Sequence, residues 1–382
     1  MRSIKECQKK FKNESKNNES KKQRKKKYEG IKVIVSRSVF FAILIVLTIS
    51  GIIGCESAEP TGSQPAFEKE QTLISVKEQA EVEDTQPIKH HIRLGFSQLG
   101  SESDWRLANT NSIREAAREA GIQLLFENAE QSQEKQFEAV RYFIEQGVDV
   151  IAIAPVVETG WEAILQEVQE AGIPVLIIDR KMELSDPSLY VTFIGSDFYE
   201  EGVMAGRYLL DKMRDRPGEI TIAELRGTEG ASPSIDRGAG FREAIRERAE
   251  MTILASEPAD FTQARGKEVM KSFLEAHGSR IDVLYAHNDD MALGAIEAVE
   301  EVGLKPGKDI IIISVDGTRQ AFEMMVQGKI NAVVECNPML GPNVMQAVLE
   351  LMEGRTLPKR IITPERIYTE VTAERELNNR IY

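Results

Sequence analysis

Cysteine is scarce in this chain, three residues in 382, and aromatic side chains make up only 6%. The core must therefore be mainly aliphatic. No strand-like run leads into GxGxxG, and GxxxxGK[ST], HExxH and GxSxG are absent, which removes the common nucleotide, metallopeptidase and serine-hydrolase signatures. The four histidines, at 90, 91, 277 and 287, lack metal-ligand spacing, so no metal or other cofactor is expected. Basic charge is missing from the body: residues 56–382 carry 34 Lys/Arg against 57 Asp/Glu, a net of −23. Nucleic acid is thereby excluded as a main partner, because phosphate neutralisation needs a basic face. What is present is 42% hydrophobic and 29% charged residues, enough chain for about two domains.

The front is a different physical object. Residues 1–38 hold 14 Lys/Arg against 4 Glu, a net of +10, and no charge follows until Glu56. The uncharged run of residues 39–54 has 16 residues, short of the ~20 that span a bilayer, and fits a signal-peptide core. It ends Gly51-Ile52-Ile53-Gly54-Cys55. An aliphatic residue at −3, a small one at −1 and then Cys resembles the lipobox of bacterial lipoproteins. The resemblance implies cleavage of residues 1–54, acylation of Cys55 and an extracytoplasmic, lipid-anchored protein on the cell membrane. A single uncleaved membrane anchor is the alternative. The basic front is long for a leader, and no second Met precedes Met182, which leaves open a start at a non-Met codon such as Val33 or Val35. Loss of Cys7 and acylation of Cys55 would leave Cys336 alone, unable to form an internal disulfide. Set in VVEC, it is expected as a buried small hydrophobe rather than a nucleophile. Residues 55–89 read as a flexible acidic tether, rich in Glu, Gln, Ser and Thr with three prolines, and spanning ~30 Å.

From Ile92 the chain alternates strand and helix. Strands are expected at 92–98, 122–129, 150–155, 174–179 and 190–195, then at 219–225, 251–257, 283–286, 310–316 and 332–336. Helices are expected at 104–120, 132–146, a segment ending at Ala171-Gly172, 241–249 and 289–301. Repeated βαβ units imply doubly wound parallel sheets, and some ten strands fit two sheets better than one.

Ligands of such sheets bind at the carboxyl ends of the strands. Those ends lead into Ser101-Glu102-Ser103-Asp104-Trp105-Arg106, Asp179-Arg180, His287-Asn288-Asp289-Asp290 and Asp316-Gly317. Arginine forks, carboxylates and an amide suit the hydroxyls of a sugar ring, and an indole suits its C–H face. Asp289 is expected to cap the helix it opens rather than touch ligand. Trp161 is expected to pack a lobe. The Gly-rich piece Arg226–Gly230 carries Glu229, which would repel phosphate, and is expected as a tight βα turn.

SESDWR, APVVETGW, IDR at 178–180, SIDRGAGF, DFTQARGKEVM, YAHNDDMALGAI, GLKPGKDI and SVDG together resemble galactofuranose-binding members of the ribose/galactose-type periplasmic sugar-binding proteins of ABC importers. The likeness runs from about Arg93 to the C-terminus. It implies the type I periplasmic-binding-protein fold, two α/β lobes joined by three crossovers and closing on one monosaccharide without turnover. Lobe one would be 90–196 plus 337–362, and lobe two 197–336 plus 363–382. The resemblance places Ser103, Trp105, Arg106, Asp179, Arg180, Arg237, Asn288, Asp316 and Glu335 at the sugar. It implies a monomer that partners a permease with its ATPase. Asp104 stands where relatives usually have Gly, and ECNPM replaces a Thr-Pro-Asn form at the last crossover, which leaves the particular sugar open.

Three other classes compete. A sensor lipoprotein would present the same closed lobes to a chemoreceptor or histidine-kinase ectodomain. A lactose-repressor-type regulator would need a helix-turn-helix where the leader and tether stand. A dehydrogenase would need the missing dinucleotide fingerprint.

Overall fold

Val150–Ile153 and Val175–Ile178 are buried at every position, as strands covered on both faces must be. They are central strands of the first of two sheets in the computed structural model, which describes residues 91–382. The leader, Cys55 and the tether lie outside the described residues. The strands are β1 (Arg93–Gln98), β2 (Gln123–Asn128), β3 (Val150–Ile153), β4 (Val175–Ile178), β5 (Thr192–Gly195), β6 (Ile220–Arg226), β7 (Met251–Pro258), β8 (Val283–Ala286), β9 (Ile311–Asp316), β10 (Ala332–Glu335), β11 (Arg360–Ile362) and β12 (Ile367–Thr369). Between them run α1 (Asp104–Ala120), α2 (Gln133–Glu145), α3 (Glu162–Glu170), α4 (Phe198–Lys212), α5 (Ser232–Ile245), α6 (Gln263–His277), α7 (Asp289–Glu301), α8 (Arg319–Val326) and α9 (Gly341–Met352). The short α10 (Ala373–Leu377) follows the last strand.

The first sheet has the order β11-β5-β4-β3-β1-β2 and the second β12-β10-β9-β8-β6-β7. Neighbours are parallel except β12, which runs antiparallel to β10. The chain passes between the sheets after β5, after β10 and again after β11. Two lobes therefore share three crossovers, with the carboxyl ends of both sheets' parallel strands available to one cleft.

Apolar residues fill both faces of each sheet. Leu94, Phe96, Ile113 and Val344 lie in one cluster of the first sheet, with Phe143, Ile151 and Trp161 in the other. In the second sheet Phe273, Met291 and Phe322 lie in one cluster, with Phe198, Phe241 and Tyr285 in the other. Trp161 is fully buried and donates Nε1–H to Val157 O at 2.7 Å, so it packs lobe one as expected. Among the described residues no helix is long and apolar enough to cross a membrane.

Three local features depart from the sequence reading. There are twelve described strands rather than ten, because β11 and β12 are only three residues each. The helix expected at 241–249 is α5, which starts at Ser232 with Pro233 in its first turn and ends at Ile245. Asp289 does not cap α7. Asn288 Oδ1 does, accepting from Met291 N at 3.0 Å. Asp289 instead receives Ser314 Oγ on one oxygen, and Gly317 N and Thr318 N at 2.9 and 2.8 Å on the other. It pins the turn that carries Asp316.

Candidate functional site

The loop after β1 turns into α1 at Ser103, whose Oγ accepts from Arg106 N at 3.1 Å. That cap aims Arg106 across the end of the first sheet, where Nη1 meets Asp179 Oδ2 at 2.7 Å and Nε meets Glu102 Oε1 at 3.2 Å. Asp179 leaves β4 at φ +63°, a conformation an L-residue holds only under tertiary constraint. Gly195 on the adjacent β5 allows it, since a Cβ there would lie 2.8 Å from Asp179 O. Arg180 follows. Its Nη1 donates to Val156 O at 3.0 Å, while Nε has no partner among the described residues.

The opposite wall comes from the second sheet. Arg237 on α5 donates from Nε to Glu201 Oε2 at 2.6 Å and from Nη1 to His287 O. The helices α4 and α5 approach closely enough for this because Gly202 and Gly240 are glycines. Cβ atoms there would lie 2.2 Å from Arg237 O and 2.0 Å from Tyr199 O. Asp316 ends β9 at φ +126°, its Oδ1 3.8 Å from Arg237 Nη2. Asn288 donates Nδ2–H to Phe261 O at 3.1 Å. The Phe261 ring fits only because residue 227 is glycine, where a Cβ would fall 1.8 Å from Cζ. The piece Arg226–Gly230 thus links β6 to α5 and accommodates an aromatic wall.

These groups surround one cavity between the lobes. Ser103, Trp105, Arg106, Asp179, Arg180, Arg237, Asn288 and Asp316 all line it, joined by Glu102, Phe198, Pro233, Phe261 and Cys336. The lobes meet over it. Lys181 N donates to Ser232 Oγ at 2.8 Å, Glu158 N to Gly230 O at 3.0 Å, and Lys181 Nζ pairs with Asp236. The Arg180 guanidinium carbon also lies 5.2 Å from the Phe261 ring centroid, a cation–π contact from one lobe to the other.

The site's charges are not all at ease. Burial opposes the Arg106 charge, but Asp179 and Glu102 outweigh it and raise the pKa. Arg180 has only a long pairing, with Nη2 3.9 Å from Glu102 Oε1. Burial and then Arg106 pull it down to about 10, against the smaller lift from Glu102 and Asp179. Burial pushes Asp316 well above the usual carboxylate range, only partly offset by Arg237. Buried donors and acceptors in surplus are what a polyhydroxylated ligand can satisfy.

Residues 94–356 match the family model described as "Periplasmic binding protein domain". The chain belongs to the periplasmic binding proteins. Its two-sheet architecture is their type I fold. The galactofuranose-binding protein YtfQ of Escherichia coli K12 is 44% identical to it over 76% of this chain and 91% of that one. A Mycobacterium smegmatis protein solved in complex with β-D-fucofuranose is 48% identical, with a TM-score of 0.74 over 75% of this chain and 94% of that chain. The periplasmic binding component of the arabinose ABC transporter of Shewanella sp. ANA-3, bound to α- and β-L-arabinofuranose, is 46% identical. Its TM-score is 0.73, over 76% of this chain and 95% of that chain. The family places the chain outside the cytoplasm.

Glu335 is the one expected ligand residue that the structure puts elsewhere. Its carboxylate receives Arg380 Nη1 at 3.0 Å, Tyr368 OH at 3.2 Å and Arg366 Nε at 3.4 Å, clamping the C-terminal segment to lobe two. Side chains alternate along an extended chain, so the next residue, Cys336, faces the cavity instead. Cys336 is buried as expected, and its carbonyl accepts Trp105 Nε1–H at 2.6 Å. Asp104 stays outside the cavity, exposed, with Gln320 Nε2 3.4 Å from Oδ2. Of the lining residues that sequence reasoning missed, Glu102 and Phe261 stand inside the quoted SESDWR and DFTQARGKEVM strings. Phe198 and Pro233 carry no polar signal at all.

Proposed function

We propose that the chain is an extracytoplasmic sugar-binding lipoprotein. It captures a monosaccharide, galactofuranose or a similar aldose, by closing two lobes over it, and delivers it to an ABC permease. The observation that carries this reading is the meeting of Arg106 and Arg180 from one lobe with Arg237 from the other around a single buried cavity. Carboxylates hold Arg106 and Arg237 in place, Arg180 keeps an unpartnered Nε, and guanidinium forks match ring hydroxyls and the ring oxygen. The names of the relatives, which are binding proteins for furanose sugars, support the same class. Contacts from both lobes favour the closed conformer, so sugar shifts the open–closed population by its differential affinity and no bond is broken. Acylation at Cys55 and a flexible tether would hold the lobes at the membrane near the permease.

Calorimetric titration of the purified protein with galactofuranose, arabinofuranose, ribose and galactopyranose tests this. Saturable heat with a furanose is expected. No heat with any of the four defeats the reading.

A further inference from the structure

The crossovers carry a buried cluster that the sugar cavity does not fully use. Carboxylate oxygens of Glu201 and Glu365 and the Cys336 sulfur lie within 4.8 Å of one another. Glu201, fully buried on α4, spends Oε2 on Arg237 Nε at 2.6 Å, while Oε1 has no donor among the described residues. Glu365 stands on the third crossover. Its Oε1 accepts from Ser196 Oγ, from Thr363 Oγ1 at 3.3 Å and from Asn337 N at 3.4 Å. A bare buried acceptor is costly, and a second ionised carboxyl beside it adds repulsion. One proton between the two acids removes both penalties.

We propose that Glu365 is a positioning residue: as a neutral acid it donates its proton to Glu201 Oε1, and Glu201 so fixed holds the Arg237 guanidinium at the sugar cavity. This rests on the sugar-binding reading above. Glu365 is faced by Glu201 from α4, Arg237 from α5, Cys336 after β10 and Ser196 after β5. Burial and then Glu201 keep it protonated up to about 10, with Ser196 and Arg237 pulling the other way. Burial also pushes the Cys336 thiol well up, so it adds no negative charge. A divalent cation suits the cluster less, because Arg237 already occupies Glu201 and its charge would repel a metal. The third crossover, whose backbone must adjust when lobes open, is thereby tied to a ligand-binding arginine of lobe two.

Full-length wild type, Glu365→Gln and Glu365→Ala are titrated with galactofuranose from pH 7 to 10.5, and the Arg237 Nε–H signal is followed by NMR. At pH 7 the Gln variant should bind within about twofold of wild type, because an amide N–H replaces the acid proton, and Ala should bind about tenfold more weakly. Above about pH 9 wild type should lose affinity more steeply than Glu365→Gln. Arg180 titrates in both proteins, so the difference between them reports Glu365. Coincident pH profiles overturn the proposal, as does wild-type affinity in Glu365→Ala. If wild type binds no sugar at all, the function reading fails and the Arg237 signal, read without sugar, decides the positioning. Displacement in Ala with recovery in Gln supports it, and an unmoved signal in both overturns it. Zinc retained at the cluster after dialysis also overturns it.

Discussion

Replacing Arg180 by methionine should move sugar affinity and stability in opposite directions. Methionine keeps most of the aliphatic volume and removes a guanidinium that has one backbone bond, to Val156 O, a long 3.9 Å pairing with Glu102 and an unpartnered Nε. Loss of one charged hydrogen bond to sugar weakens binding by about 1.5–3 kcal/mol, or roughly 10- to 150-fold. Stability goes the other way. Burial and Arg106 pull the Arg180 pKa from its ordinary value down to about 10, a penalty of roughly 3 kcal/mol against the charged form. A base with a depressed folded pKa binds fewer protons when folded, so stability rises with pH only from about 10 up to the ordinary arginine value. At pH 7 the whole penalty is present, and methionine removes it. After the lost bond to Val156 and the lost contact with the Phe261 ring, a net gain of about 1–2 kcal/mol remains, a few degrees in Tm. Calorimetry with galactofuranose and sugar-free thermal melting at pH 7 read the two quantities. Unchanged affinity, or a Tm that falls together with affinity, would refute the reasoning.

Asp316→Ala should weaken sugar binding by about 1.5–3 kcal/mol in the same titration, and wild-type affinity would remove Asp316 from the site. Glu335→Ala should leave affinity within about twofold while lowering stability by about 1–3 kcal/mol, because the Arg380 guanidinium beside it loses its anion; a large affinity loss without a fall in Tm would return Glu335 to the cavity. Sugar affinity should decline from about pH 4 to about pH 7 and level off above it. In the closed cleft, burial, then Asp104, Asp289 and Glu102, push Asp290 up to about 7. Closure therefore takes up a proton, which is available below pH 7 and lost above it. Asp290→Asn should flatten that decline, and parallel pH profiles for the two proteins would contradict it.

Strands such as β3, β4 and β8 are legible because burial on both faces writes them as unbroken aliphatic runs. The edge strands β11 and β12 are not, since three residues give no period to read. The polar cavity residues are legible for a topological reason: parallel sheets present ligand groups at their carboxyl ends, and Asp179, Arg180, Asn288 and Asp316 stand there. Phe198 and Phe261 escape notice because an apolar side chain looks alike in a core and in a cavity wall. Glu335 stands outside the cavity for a longer-range reason. Its partner Arg380 lies 45 residues further along, and no local pattern announces that contact. The exchange between Asn288 and Asp289 is a one-residue matter, since both residue types cap helices well and only the hydrogen bonds distinguish them.

The central claim is that sugar and lobe closure are one event. Small-angle X-ray scattering during a galactofuranose titration measures this directly. The radius of gyration should contract saturably, with a midpoint equal to the calorimetric Kd. Calorimetric binding with an unchanged scattering profile, or a profile already fully contracted without sugar, would contradict it.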